Sequence, residues 1–564
     1  MQAGNLRRWG GAAALAVMGT GALADGLASA YLQGRTAAFR GDYAAAAIGY
    51  AEALRFDPGN PRLLEAAMSA QLNAGRVDRA IATARTLSAT GTESQIADMV
   101  LLAAMAEAED WQGILDLQSA GRSVGPLVDG LAAGWARFGT GDLDGALAAF
   151  DATAERPGLS AFGRLHRAYA LAASGRHAEA EAVFSGEAHG ARPLRLNRRA
   201  AVARIQNLGM AGRTDMAIAL IDGLFGEDLD PQLAAMRAAF VEGEAVPFDV
   251  VTGPRSGMGE SLFAVASALS GEAADGYTLL YARAAEHLSP GHADALLLSA
   301  RLLTGLERHD LAISAYARVP ADHPAYVAAT VGRIQALRSA GNARAAVDVA
   351  VALATRHPST PRVHVALGDA RRAVGDWRGA ARAYAAATAI HGARAETPWR
   401  TLYASGVAHH RAGDWTSARA DLEAALEQRP ENADVLNYLG YSMVEEGEDL
   451  EGALALIRRA VEAAPENGFI ADSLGWALFK LGRPGEAVAP MERAVALEPG
   501  DATINDHLGD VLWTVGRVRE ARFQWERALA LGAEGAARIE RKLSAGLDVV
   551  MAEEAEVEQA RLAD

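Results

Sequence analysis

Few residues in this chain stand at spacings that could do chemistry. His409 and His410 are adjacent. Two histidines that share a metal on a helix stand four apart on one face, so an adjacent pair points to different faces. His323 and His357 each precede a proline at equivalent positions, which suits a structural role. Asp142-Leu143-Asp144-Gly145 begins like a calcium loop but lacks the remaining oxygen ligands. Gly253, Gly257 and Gly259 suggest a phosphate-cradling turn, yet no strand precedes them and no lysine follows. The only lysines are Lys480 and Lys542, and neither sits in a phosphate-binding or Schiff-base motif. HExxH, P-loop and nucleophile-elbow motifs are absent. With no cysteine, thiol catalysis, zinc-thiolate sites, disulfides and lipidation through cysteine are excluded. No catalytic residue, metal ligand or cofactor is expected, and the chain reads as non-enzymatic.

Composition narrows the class further. Of 564 residues, 50% are hydrophobic but only 6% aromatic, so alanine carries much of the apolar content. Alanine favours helix and close helix packing. The net charge of −16 opposes general binding to nucleic acid or anionic membrane. At the N-terminus, Arg7 and Arg8 precede an apolar stretch from Trp9 to Leu23, and Ala22-Leu23-Ala24 fits a small-x-small cleavage site. These are the three parts of a secretory signal over residues 1–24, with Asp25 as the first mature residue. A buried first helix is the alternative. No other run is long and apolar enough to span a membrane, so the mature chain is expected to be exported, soluble, periplasmic and not lipidated.

The rest of the chain repeats every 34 residues. Ala453, Ala487 and Ala521 are spaced 34 apart, as are Ala460, Ala494 and Ala528, Gly475 and Gly509, and Pro465 and Pro499. Upstream, Ala312, Ala346 and Ala380 keep the step, as do Ala146 and Ala180, and Ala46 and Ala80. Gaps from Ala80 to Ala146 and from Ala217 onward each hide one degenerate unit. Within a unit, Leu474 and Leu478 share a helical face, Gly482 breaks the chain, and Ala487, Met491 and Ala494 form a second apolar face. Pro499 closes the unit. No unit buries its apolar face alone, so neighbours must stack.

This pattern resembles the tetratricopeptide repeat, most closely over Gly34–Pro58 and Trp399–Ala530. The resemblance implies an all-α, right-handed α-solenoid of about 14 helix pairs. The expected divisions are an N-terminal array over 25–244, an irregular insertion at 245–260, a central array over 261–398, a C-terminal array over 399–533, and a capping helix with an acidic tail at 534–564. In the C-terminal repeats, the strings Asn437-Tyr438-Leu439-Gly440-Tyr441, Asp472-Ser473-Leu474-Gly475-Trp476 and His507-Leu508-Gly509-Asp510 are similar to those of bacterial envelope adaptors. One such group comprises lipoproteins that bind a carboxy-terminal processing protease, although this chain lacks their lipid-bearing cysteine.

In this repeat type, the second, fifth, ninth and twelfth positions of each first helix face a concave groove. That register nominates Tyr403, Asn437, Tyr441, Phe469, Asp472, Trp476, Phe479, Asp506, Asp510 and Trp513 as partner-binding residues. Aromatic rings supply contact area at low entropic cost. The alternative is that Tyr441, Trp476 and Trp513 pack on the adjacent repeat. The lysine–asparagine clamp for a terminal carboxylate is missing, so a basic or apolar segment suits the groove better. Ala245–Glu260 is a second candidate site, or else a structural kink. Ala537, Ile539 and Leu543 are expected to cover the last repeat.

The expected function is a protein-interaction scaffold of the bacterial cell envelope, with a periplasmic processing protease or an envelope assembly component as candidate partner. Two alternatives stay open: a structural subunit of an export or outer-membrane assembly machine, and a cytoplasmic adaptor if residues 1–24 are retained.

Overall fold

The computed structural model describes residues 26–189, 192–226 and 229–563. The secretory segment expected at 1–24 lies outside them. Helices joined by turns build the described chain, and its only strand-like pairing is an isolated bridge between Ser270 and Ala273. Among the described residues, no helix is long and apolar enough to cross a membrane.

One hairpin shows why the sequence folds this way. Asn467 caps the helix Gly468–Lys480 by accepting from the Phe469 and Ile470 amides. Gly482 turns the chain in the left-handed region at φ 72°. Pro484 then opens the helix Pro484–Leu497, where its missing N–H is harmless. Ala487, Met491 and Ala494 on that helix are fully buried. Gly475 lies against Met491, where an added Cβ would sit 2.5 Å from the Met491 Cγ. The expected close approach is therefore present. Asp142, the calcium-loop residue, is a helix cap: it accepts from the Gly145 amide at 2.9 Å.

The chain forms two compact units, divided between Asn342 and Ala343. The 34-residue step is lost elsewhere, at 245–260 and near 398. Around 398 the extra residues form a short turn, Arg394–Glu396, tied to the following repeat by Arg394 on Asp421 at 2.6 Å.

In the first unit, the degenerate stretch after Ala80 is a full hairpin, Gln95–Glu107 with Trp111–Ser119. The second degenerate stretch differs. Helix Pro231–Glu242 has no partner helix of its own; residues 244–253 run irregularly, and helix Pro254–Leu269 follows. The insertion expected at 245–260 is thus irregular only in its first part. Helices Pro254–Leu269 and Asp275–Leu288 pair with each other and lie against first helices of earlier repeats. One continuous apolar core runs from Tyr43 to Ala336.

In the second unit, helix Ala343–Arg356 is followed by consecutive stacked hairpins from Pro361 onward, which end in helices Ala536–Ala545 and Leu547–Ala563. Ile539 is buried and Leu543 partly so, as expected of a cap. Ala537 is exposed and does not cover the repeat. The acidic tail is helical, and its Glu554 pairs with Arg538 at 2.7 Å.

Candidate functional site

The groove positions of the second unit divide into residues that are partly open and residues consumed by packing. Tyr403, on helix Trp399–Arg411, is half-buried and meets Tyr438 edge-on at 5.9 Å. Burial raises its phenol pKa, with Asp434 adding to the effect. Asn437 and Tyr441 follow on helix Ala433–Glu445, both half-buried. Burial, then Glu445 and Asp472, push the Tyr441 phenol well up. The Asn437 Oδ1 atom is enclosed and has no hydrogen-bond partner among the described residues. Phe469 is 53% exposed at the start of the next first helix, and Phe479 is half-buried at its end.

Asp472 and Trp476 differ, and here the expectation of an open surface is corrected. Trp476 is only 9% exposed. Its ring stacks on His507 of the next repeat at 4.0 Å and on Phe479 at 5.2 Å. Its indole N–H donates to the Glu445 Oε1 at 2.9 Å. Asp472 is buried beside His507, with both carboxylate oxygens 3.1 Å from Nδ1. Burial alone would push the His507 imidazole down; Asp472, then Asp510 and Asp506, outweigh it and hold the pKa above its usual value. A flat ring stacked between repeats buries more area than one left at the rim, so the packing reading holds for Trp476.

At the last repeat the cap fills the same positions. Lys542 has no exposed surface, and its ammonium lies 2.8 Å from Asp506 Oδ1 and 2.6 Å from Asp510 Oδ1. The Trp525 indole also donates to Asp510 at 2.9 Å. Trp513 leans on Trp525 at 5.3 Å and donates to Asp548 of the terminal helix at 2.9 Å. Asp506, Asp510 and Trp513 therefore hold the cap. The register missed Lys542, although one signal was present: it is one of only two lysines and stands 36 residues after Asp506.

The adjacent histidines do part company. His409 faces Asp414 at 3.1 Å, and His410 faces the Tyr438 hydroxyl at 3.1 Å.

Near residues 245–260, a cavity of about 720 Å³ opens beside Arg198, Arg199, Asp249, Arg255, His292 and Asp294. Its arginines are already engaged. Arg198 pairs with Asp230 at 2.6 Å, Arg199 donates to Glu260 at 2.7 Å, and Arg255 donates to the Leu288 carbonyl at 3.2 Å. Gly257 and Gly259 lie inside helix Pro254–Leu269 rather than in a phosphate loop. Glu260 is buried; burial alone would raise its carboxyl, but Arg199 and His292 bring it down to about 2.

A tetratricopeptide-repeat family model matches residues 131–193, 403–468 and 473–537, and these segments are repeats of that type. No curated protein matches the chain. Among solved structures, the chain is similar to the APC/C hetero-tetramer Cut9-Hcn1, at 15% identity, over 94% of this chain and 99% of that one, with a TM-score of 0.37. It is similar to a tetratricopeptide repeat protein from Parabacteroides merdae ATCC 43184, at 13% identity over 52% and 98%, with a TM-score of 0.35. It is also similar to MamA, at 21% identity over 29% and 94%, with a TM-score of 0.26.

Proposed function

We propose that this chain of tetratricopeptide repeats is a non-catalytic scaffold of the bacterial envelope that holds a partner protein against the first helices of its C-terminal repeats. One observation carries the proposal. Tyr403, Asn437 and Tyr441 stay partly open on two consecutive repeats. The open part of the Asn437 side chain is available to a bound segment, and the tyrosine rings supply contact area on either side. Phe469 extends this face toward the next repeat.

Export rests on Arg7-Arg8, the apolar stretch to Leu23 and Ala22-Leu23-Ala24. Terminal sequencing of the native protein is expected to begin at Asp25; an intact N-terminus in a cytoplasmic fraction supports the cytoplasmic adaptor instead. A processing protease or an envelope assembly component as partner rests on the resemblance of the C-terminal strings.

Crosslinking capture from the native envelope tests the site. Asn437→Ala and Tyr441→Ala are expected to weaken capture about tenfold or more while the chain stays folded. Capture at the wild-type level by both variants removes the face from consideration.

A further inference from the structure

Helices Pro254–Leu269 and Asp275–Leu288 stack on the following helix, Ala293–Gly305, but on their other side they pack against helices distant in sequence. They lie across first helices of four earlier repeats: Pro61–Asn73, Gln95–Glu107, Pro126–Gly139 and Ser160–Ala173. Short glycine turns join ordinary helices of the array, whereas irregular residues 244–253 lead into this hairpin.

The contacts across this face are built from several chemistries. At Gly257 the backbone approaches a ring so closely that a side chain does not fit, and at Gly276 it approaches a tyrosine hydroxyl. An added Cβ on Gly257 would lie 2.3 Å from the fully buried Trp135 ring, and one on Gly276 would lie 2.7 Å from the Tyr43 hydroxyl. Polar contacts flank these points. The Asn73 side chain donates to the Gly276 carbonyl at 2.9 Å, and His287 faces Glu107 at 2.8 Å. Such contacts join residues far apart in sequence and resemble a protein–protein interface more than a repeat boundary.

We propose that the first helices of the N-terminal repeats form a receptor face for a helical hairpin, and that the chain's own residues 254–288 occupy it in cis. While docked, the hairpin closes that face to outside partners. This assignment is independent of the C-terminal binding face, which lies in the other unit.

The test uses the full chain with a site-specific protease sequence inserted between the exposed Glu244 and Ala245. After cleavage, the two pieces are expected to co-elute at the size of the uncut chain at micromolar concentration. Gly257→Leu in the cut chain is expected to weaken their association about tenfold or more. If that variant fails to fold, Asn73→Ala with His287→Ala replaces it, with the same expectation. A labelled peptide of residues 254–288 is expected to be refused by the uncut wild type and taken up by the isolated N-terminal piece. Three results overturn the proposal: separation of the cut wild-type pieces at micromolar concentration, equal uptake of the peptide by the uncut chain, or a concentration-dependent double-mass species showing that a second copy supplies the hairpin.

Discussion

Lys542 lies fully buried against two carboxylates, Asp506 and Asp510. Removing the ammonium takes away the cation that both acids share and leaves Asp510 only the Trp525 N–H and Arg538 at 3.7 Å, so Lys542→Ala is expected to cost about 3 kcal/mol. Replacing all three groups by apolar or neutral residues of similar size is expected to cost much less, because no charge is left unpaired. Denaturant melts of the single and triple variants check this. Trp476 is the second test at this scale. Its ring packs between His507 and Phe479, so Trp476→Ala is expected to lose about 3–5 kcal/mol while partner capture by the folded fraction persists. Lost capture at unchanged stability would return Trp476 to the binding surface.

The hairpin turn is the feature repeated at the level of elements. Gly75, Gly341 and Gly375 hold it in the left-handed region, where glycine has no steric penalty. At Glu109 and Glu307, each one period from such a glycine, glutamate takes the same conformation at φ 57° and 59°. Left-handed backbone costs a non-glycine residue roughly 1–2 kcal/mol, so Glu307→Gly is expected to raise stability by about 1 kcal/mol after the entropy of the unfolded chain is counted. The melting temperature of that variant decides it. Where first and second helices touch, Gly475→Leu drives a side chain into Met491 and is expected to cost about 1–3 kcal/mol. Coupling falls mainly on neighbouring repeats, so hydrogen exchange is expected to quicken over 433–535 and not in the first unit.

At the scale of the whole molecule, the two units respond to pH with opposite sign. In the first unit, burial pushes His166 down to about 4, and its Nδ1 accepts from the Trp135 indole at 3.0 Å. The unfolded chain binds this proton below about 6.5 while the folded unit refuses it, so stability falls as pH drops toward 4. Between pH 6.5 and 5 this ring is expected to contribute a loss of about 2 kcal/mol. Glu260 adds a further loss at lower pH, from its ordinary value toward about 2. In the second unit, His507 has a raised pKa beside Asp472, so its contribution is complete below 6.5 and lost as pH rises through the folded value. Hydrogen exchange at pH 5 and pH 8 is expected to open the first unit in acid and the second in base. His166→Phe and His507→Asn are each expected to flatten one response.

The 34-residue step, the turn glycines and the apolar faces made the helix pairs legible from the residues alone, because they are local properties of one hairpin. The small residue at Gly475 even located its contact. Groove positions were legible as register, but register does not decide exposure. Trp476 and Asp510 stand at positions equivalent to Tyr441, yet they are buried because His507 and Lys542 arrive from the next helices to cover them. The self-docked hairpin was invisible for the same reason. Gly257 stands in a glycine-rich stretch of sequence, and the Trp135 ring that meets it lies more than a hundred residues earlier. Periodicity encodes which residues face inward within a repeat, whereas the neighbour that meets them is chosen by contacts between residues distant in sequence, and only the tertiary structure holds those.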